Sequence, residues 1–253
     1  MSIGLKIFNE MNINVLTIFP EIFEALNQGL VGQSIKKGNV SINCFDIRKN
    51  SVNKHNQVDS KPYGGGEGML MMAEPLSRTL NEINSKDRGK VINFSPQGNK
   101  LNQSKVEELS KNKSITFVCG RYEGIDQRFI DKYVDEEISL GDFILSGGEM
   151  AALTAIDSII RVLPGTLGNS NSVSKDTFSN GLLKGHSYTR PENFENMLVP
   201  SVLLSGDHKK INAWKEENSL IQTYLRRPEL LNDVKLTNNQ KKLLEELLTK
   251  DIL

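Results

Sequence analysis

Three glycine-containing loops carry the chemistry-bearing pattern of this chain: FSPQG (94–98), CGRYEG (119–124) and SLGDFILSGGE (139–149). Each begins at or just beyond the end of an apolar, strand-like run, or encloses a short one. Glycine lets backbone amides come close to a ligand and adopt conformations that a Cβ resists. In open parallel sheets, ligands bind in the crevice beyond the carboxyl ends of the strands. Three such loops from three strand ends point to a small-molecule crevice. No GxGxxG follows the first strand and GxxxxGK[ST] is absent, which disfavours a dinucleotide fold or a P-loop. A fourth stretch, DSKPYGGGEGMLM (59–71), sets three consecutive glycines between Tyr63 and Glu67. Such a loop can lie against a planar or anionic ligand, or simply turn the chain.

The titratable residues are less eloquent by themselves. Asp176 sits in a stretch dominated by Gly, Ser, Asn and Thr, where a carboxylate reads as solvated. Arg161 closes a helix, and the helix macrodipole is reason enough for a cation there. His55, His186 and His208 are scattered, and Cys44 and Cys119 are the only cysteines. No disulfide framework or zinc site is written in that spacing, so no metal ligands are assigned. Cys119, on an apolar strand, reads as a small buried hydrophobe. This cysteine usage fits a reducing compartment, the cytosol. Lys+Arg 31 against Asp+Glu 31 gives no net charge, which argues against an indiscriminate polyanion binder. Lys209, Lys210, Lys215, Arg226 and Arg227 are diluted by Asp207, Glu216 and Glu217; they form a solvated face or a weak phosphate-contacting patch.

The elements that must hold these loops alternate. Strands are predicted at 13–19, 40–47, 90–94, 114–119 and 141–145. Helices are predicted at 20–38, 73–86, 103–111 (opening on Ser104 and Glu107 at capping-box spacing), 125–133 and 149–163. Strands alternating with helices imply an α/β fold, a mainly parallel sheet with helices on both faces. Residues 1–164 form that domain. Residues 165–187 read as a flexible interdomain linker, and 188–253 as a small all-helical domain with helices at 207–223, near 228–233 and from Lys235. The last helix carries Thr237 and Gln240 at capping-box spacing and a stripe of Leu243, Leu244, Leu247 and Leu248. No run is apolar enough to span a bilayer, and the N-terminus lacks the pattern of a secretory signal.

In this order the motifs closely resemble the bacterial tRNA (guanine-N1)-methyltransferases. The matching stretches are LTIFPEIF, VDSKPYGGGEGMLM, SPQGNKL, VCGRYEGIDQR, DEEISLGDFILSGGEMAALTAIDSIIRVLPG, KDTFSNGLL, YTRPENF and VLLSGDHKKINAW, from Asn14 to Leu231. The resemblance implies methyl transfer from S-adenosyl-L-methionine to N1 of the guanosine immediately 3′ of the anticodon, position 37 in tRNA. It implies a knotted fold, with a deep trefoil knot at the cofactor site, which topological rules alone would have excluded. The implied cofactor contacts are Ser95, Pro96 and Gly98, then Gly120, Tyr122 and Glu123. The third loop adds Leu140, Gly141, Asp142, Phe143, Ile144, Leu145, Gly147 and Gly148.

Asp176 matches the family's proposed general base and Arg161 the cation that stabilises charge on O6 as the N1 proton leaves. Asp59 and Arg121 match substrate contacts. The implied partners are tRNA and a second copy of the chain in a homodimer, with no membrane and no DNA, and Mg2+ is implied for turnover. Where the family has Asp-Arg-Pro this chain has Ser60-Lys61-Pro62, and lysine lacks the planar fork of arginine. Two rivals stand beside this reading: another knotted RNA methyltransferase acting on ribose 2′-oxygen or another base, and a non-catalytic RNA-binding protein. The Asp176–Arg161 pair favours base-nitrogen chemistry, and three intact glycine loops favour a bound cofactor.

Overall fold

The computed structural model describes residues 10–167, 176–178 and 180–249. The chain divides into two compact units, Met1–Ser170 and Asn171–Leu253. In the first, strand β1 (Met11–Thr17) leads to a 3-10 helix (Pro20–Asn27) and helix α1 (Gly29–Lys36), then to β2 (Val40–Asp46) and a second 3-10 turn (Ile47–Asn50). Two-residue strands β3 (Asp59–Ser60) and β4 (Leu70–Met71) follow, then α2 (Ala73–Glu82), α3 (Ser85–Arg88) and β5 (Lys90–Lys100). The unit ends with α4 (Gln103–Leu109), β6 (Ser114–Val118), α5 (Gln127–Tyr133), β7 (Glu136–Ser139) and α6 (Glu149–Val162).

The main sheet has the order β2-β1-β6-β5-β7, and every pairing in it is parallel. Side chains alternate across a strand, so each strand feeds two cores. Ile13, Val15, Ile115, Phe117 and Ile92 face one core with α1, α4 and α6. Leu16, Val118 and Val91 face the other, against α2 and α5. Two polar interruptions on buried strands are satisfied by backbone carbonyls: Asn14 donates to the Asp87 carbonyl at 3.0 Å, and Thr116 to the Arg88 carbonyl at 2.6 Å.

Several sequence expectations are corrected. The helix expected over 20–38 is two pieces, because Gln28 is extended (φ −104°, ψ 163°) between the 3-10 and α segments. Helix α4 is capped by Asn102, whose side chain accepts from the Lys105 amide, rather than by a Ser104–Glu107 box. The strand expected at 141–145 is not one. The fifth strand is instead β7, at Glu136–Ser139. Charge hid it: Glu136 turns to Lys90 and Lys105, and Glu137 to Asn93. The apolar 143–145 run, which looked like the strand, lines a cavity instead.

The second unit holds a two-residue antiparallel ladder, β8 (Asn193–Phe194) with β9 (Met197–Leu198), so it is not purely helical. Helices α7 (Ser201–Leu204), α8 (His208–Arg226) and α9 (Asn238–Thr249) follow, with a 3-10 turn at Pro228–Asn232. Asp207 caps α8 by accepting from the Lys209 and Lys210 amides. The Thr237–Gln240 capping box forms in both directions: Gln240 Oε1 accepts from the Thr237 amide at 2.9 Å, and the Gln240 amide donates to Thr237 Oγ1. Of the expected 165–187 linker, residues 168–175 and 179 lie outside the described residues, as do residues 1–9. Residues 183–186 are tied to α8 through Thr223 Oγ1, Ser219 Oγ and Asn218 Oδ1.

Candidate functional site

The three glycine loops meet. A cavity of about 620 Å³ opens beyond β5, β6 and β7, lined by residues of all three loops together with Leu70, Ile125, Gln127, Ile130 and Ala151. How the loops are held explains the motif spacing. In the ladder between β5 and β7, Ile138 partners both Phe94 and Asn99, so residues 95–98 are extruded toward the cavity while the strand continues. At the neck of that bulge a Cβ on Gly98 would lie 2.4 Å from the Glu137 carbonyl carbon and the Ile138 nitrogen. Only glycine fits there.

The second and third loops are sewn together. The Gly148 amide donates to the Gly120 carbonyl at 2.8 Å, and Arg121 bridges Gly147. A Cβ on Gly148 would sit 2.8 Å from the Cys119 Cα, a backbone atom that cannot swing away. The 59–71 segment docks on the second loop: the Glu123 amide donates to the Met69 carbonyl, and the Met71 amide to the Gly124 carbonyl, both at 2.9 Å.

Beneath the loops lies a buried ion pair. Glu149, at the first turn of α6, has a side chain only 1% exposed. Its Oε1 accepts from Thr17 Oγ1 and its Oε2 from Arg121 Nε, both at 2.9 Å. The Arg121 guanidinium also lies 4.7 Å from the centre of the Phe19 ring. A buried carboxylate costs several kcal/mol unless paired and hydrogen-bonded, and here both oxygens are engaged. The pair therefore fixes Arg121, a cavity-lining residue, to β1 and α6. Cys119 is fully buried beside it. Burial, and then the negative charge of Glu149, push its thiol well above the usual range, so it stays a protonated, unreactive hydrophobe.

Of the residues selected from the sequence, Ser95, Pro96, Gly120, Arg121, Tyr122, Glu123, Leu140, Gly141, Phe143, Ile144, Leu145, Gly147 and Gly148 all line this cavity. Gly98 and Asp142 do not line it. Gly98 closes the bulge against the Glu137–Ile138 backbone, and Asp142 turns outward to Lys100 at 2.6 Å. Asp59 stands in β3 opposite Met71, half-buried and off the cavity wall. Arg161 is exposed in the last turn of α6. Asp176 is half-buried and lines a separate cavity of about 530 Å³ within the second unit, with Lys184, His186 and Gln240.

Sequence reasoning missed three polar residues of the first unit's site. Asn93 and Glu137 are register partners that both line the cavity, and Glu149 is the buried counter-charge of Arg121. Asn93 had a readable signal, a lone amide inside the apolar strand KVINF. Glu137 had none, because its strand was not recognised. Among the described residues, no group of three or more His, Cys, Asp or Glu could hold a metal ion, and no helix is long and apolar enough to cross a membrane.

An open parallel sheet with a glycine-walled crevice past its carboxyl ends defines an α/β ligand-binding protein. The particular family follows from comparison with known proteins. The family model described as tRNA (Guanine-1)-methyltransferase TrmD matches residues 11–233, and the chain belongs to that family. It is 48% identical to a tRNA (guanine-N(1)-)-methyltransferase of Photobacterium profundum over 94% of this chain and 97% of that protein. Proteins of the same name in Clostridium novyi and Shewanella sediminis are 48% and 49% identical, each over 93% of this chain and 97% and 99% of their own lengths.

Proposed function

We propose that this chain is a tRNA methyltransferase that moves a methyl group from S-adenosyl-L-methionine to N1 of the guanosine at position 37, giving 1-methylguanosine. The observation that carries the proposal is the convergence of three loops from three strands on one cavity, in a chain of this family. The cavity fits the methyl donor. Its volume lies in the usual range for small-molecule sites, roughly 300–1,000 Å³. Its wall mixes loop backbone with Ile, Leu and Phe side chains for a planar base, and it includes an unpartnered buried acceptor, Asn93 Oδ1.

When bound, S-adenosylmethionine supplies an electrophilic methyl group. The protein's own residues must make N1 nucleophilic, since guanine N1 carries a proton at neutral pH. We assign Asp176 as the general base that takes this proton. Arg161 stabilises the negative charge that then develops on O6. Asp59 and Arg121 contact the tRNA, with Arg121 pre-set by Glu149. Gly98 acts by shaping the bulge that presents Ser95 and Pro96, and Asp142 by anchoring the third loop through Lys100.

The loops are proposed to form a trefoil knot that holds the cofactor. The helical residues 188–253 are proposed to bind tRNA. The enzyme works as a cytosolic homodimer in which one subunit's Asp176 serves its partner's crevice. For Mg2+, the described residues offer no group of three or more His, Cys, Asp or Glu as ligands. Incubation with unmodified tRNA and labelled S-adenosylmethionine, followed by nucleoside mass spectrometry, is expected to give 1-methylguanosine. A 2′-O-methylated nucleoside would move the chain to ribose chemistry, and absence of any methylated product would favour a binding protein.

A further inference from the structure

We infer that Asn93 is a specificity-determining residue of the crevice: its side-chain oxygen accepts a hydrogen bond from a neutral N–H or O–H donor on the adenosine part of the bound methyl donor. This rests on the reading of the crevice as an S-adenosylmethionine site.

Asn93 lies within β5, next to the fully buried Ile92, and is itself 4% exposed. Asparagine is a poor strand former, so its position needs a reason. In the parallel ladder its partner is Glu137, and its Nδ2 donates to Glu137 Oε1 at 2.9 Å. With Glu137 Oε1 accepting from Nδ2, the amide nitrogen faces Glu137 and its oxygen faces away. That oxygen is buried and has no partner among the described residues. A buried acceptor left unmade costs about as much as a lost hydrogen bond, and such groups call for an explanation.

The explanation lies in what the oxygen faces. It sits beside Gly120, 3.8 Å from where a Cβ would be, and Gly120 has no side chain to cover it. Asn93, Glu137 and Gly120 all line the cavity. The neighbouring wall is formed by Phe94, Ile125 and Ile138 together with Glu137, whose Oε1 is already engaged by the Asn93 amide. A neutral amine or hydroxyl loses far less hydration on entering such a site than a charged ammonium does. The adenosine offers three kinds of neutral donor: the 6-amino group of the purine and the 2′- and 3′-hydroxyls of the ribose.

The test is calorimetric titration of S-adenosylhomocysteine and three analogues, each with one of those donors replaced by hydrogen. The proteins compared are the wild type and Asn93→Leu, with circular dichroism to check folding. Asn93→Leu is expected to weaken S-adenosylhomocysteine about tenfold, the worth of one good hydrogen bond. One analogue is expected to bind both proteins alike, within about twofold, and its missing group names the donor. An equal loss for all four ligands, or no loss for any, would overturn the inference. A wild type that binds none of them would instead strike the S-adenosyl reading itself. If Asn93→Leu does not fold, the exchanged pair Asn93→Asp with Glu137→Gln carries the test, because it restores the 93–137 hydrogen bond and keeps an acceptor at 93. It is expected to preserve the wild-type ranking of the four ligands, and a changed ranking overturns the assignment.

Discussion

The two units of this chain are built on different physical terms. In the first, every strand of a five-stranded parallel sheet is flanked by helices, and large side chains such as Phe117, Phe129, Leu76 and Ile138 are almost wholly removed from water. In the second, only Leu182 and Leu220 are buried among the described apolar side chains, while Phe194, Met197, Leu198 and Leu248 are more than half exposed. Helix α9 buries no residue fully. Ion pairs follow the same division. The first unit holds one pair in its interior, Glu149–Arg121, besides exposed ones such as Lys100–Asp142, whereas Lys210–Asp207 and Arg227–Glu229, pairs of the second unit among the described residues, lie on its surface. A site that must hold a small molecule in one geometry belongs on the rigid unit. A surface that must follow a large, charged partner can be drawn from the looser one.

If that division of labour is right, the largest effect comes from the second unit's Asp176. Asp176→Asn keeps size and hydrogen-bonding reach but removes the proton acceptor. Single-turnover methyl transfer at saturating cofactor is expected to fall by roughly 10² to 10⁴, with S-adenosylmethionine affinity unchanged. Arg161→Ala is expected to cost a comparable order, and the double variant less than the product of the two, since both act on one transition state. A near-wild-type rate for Asp176→Asn would leave the second unit a docking surface only.

The complementary break is in the first unit. Gly148→Val drives a side chain into the Cys119 backbone and parts the second and third loops. The wild type, at a hundredfold excess of S-adenosylmethionine over Kd, is expected to gain about 2.7 kcal/mol of stability. That corresponds to roughly 5–10 °C in melting temperature, and the variant is expected to gain none. Mixing Gly148→Val with Asp176→Asn subunits then sharpens the comparison. Random heterodimers contain one site built from two intact halves, so an equal mixture is expected to recover about a quarter of wild-type activity. Heterodimers that form without recovering activity would place Asp176 and the crevice it serves in the same chain.

The two units were also unequally legible. The first unit's loops announced themselves through glycine at strand ends, and Gly98 and Gly148 prove to be places where two backbones touch. What sequence could not give was register. The pairing of Asn93 with Glu137 depends on β7, whose two glutamates disguise a strand that owes its place to Lys90, Lys105 and Asn93. The 143–145 run showed the opposite error, since apolar residues that serve a cavity look like residues that serve a ladder. In the second unit the Thr237–Gln240 box was local and therefore readable. The β8–β9 ladder, two residues a side, carried no periodicity to read.

The smallest expected effect probes the electrostatic half of the comparison. Glu136 on β7 meets Lys90 of β5 at 2.5 Å and Lys105 of α4 at 2.9 Å, and its side chain is 14% exposed. Burial disfavours its charge, but the two lysine hydrogen bonds outweigh burial and hold its carboxyl below the usual 4.5. A carboxyl depressed in the folded state adds stability above its unfolded value, and that contribution is lost as pH falls through the folded value. Lys105 is shifted the other way, upward from 10.5, chiefly by its hydrogen bonds to Glu108 and Glu136, so its share is intact across the neutral and acidic range while its partners stay ionised. Lys90→Met is therefore expected to cost up to about 1 kcal/mol at pH 7, the scale of a partly exposed pair. The gap should close as both proteins are acidified below pH 4.5. Lys210→Met, cutting an exposed pair at 3.5 Å in the second unit, is expected to change stability by no more than about 0.5 kcal/mol at any pH. Chemical denaturation of the three proteins between neutral and acidic pH reads both outcomes. Equal, pH-independent losses for the two lysine variants would mean that the first unit's charges are as loosely held as the second's.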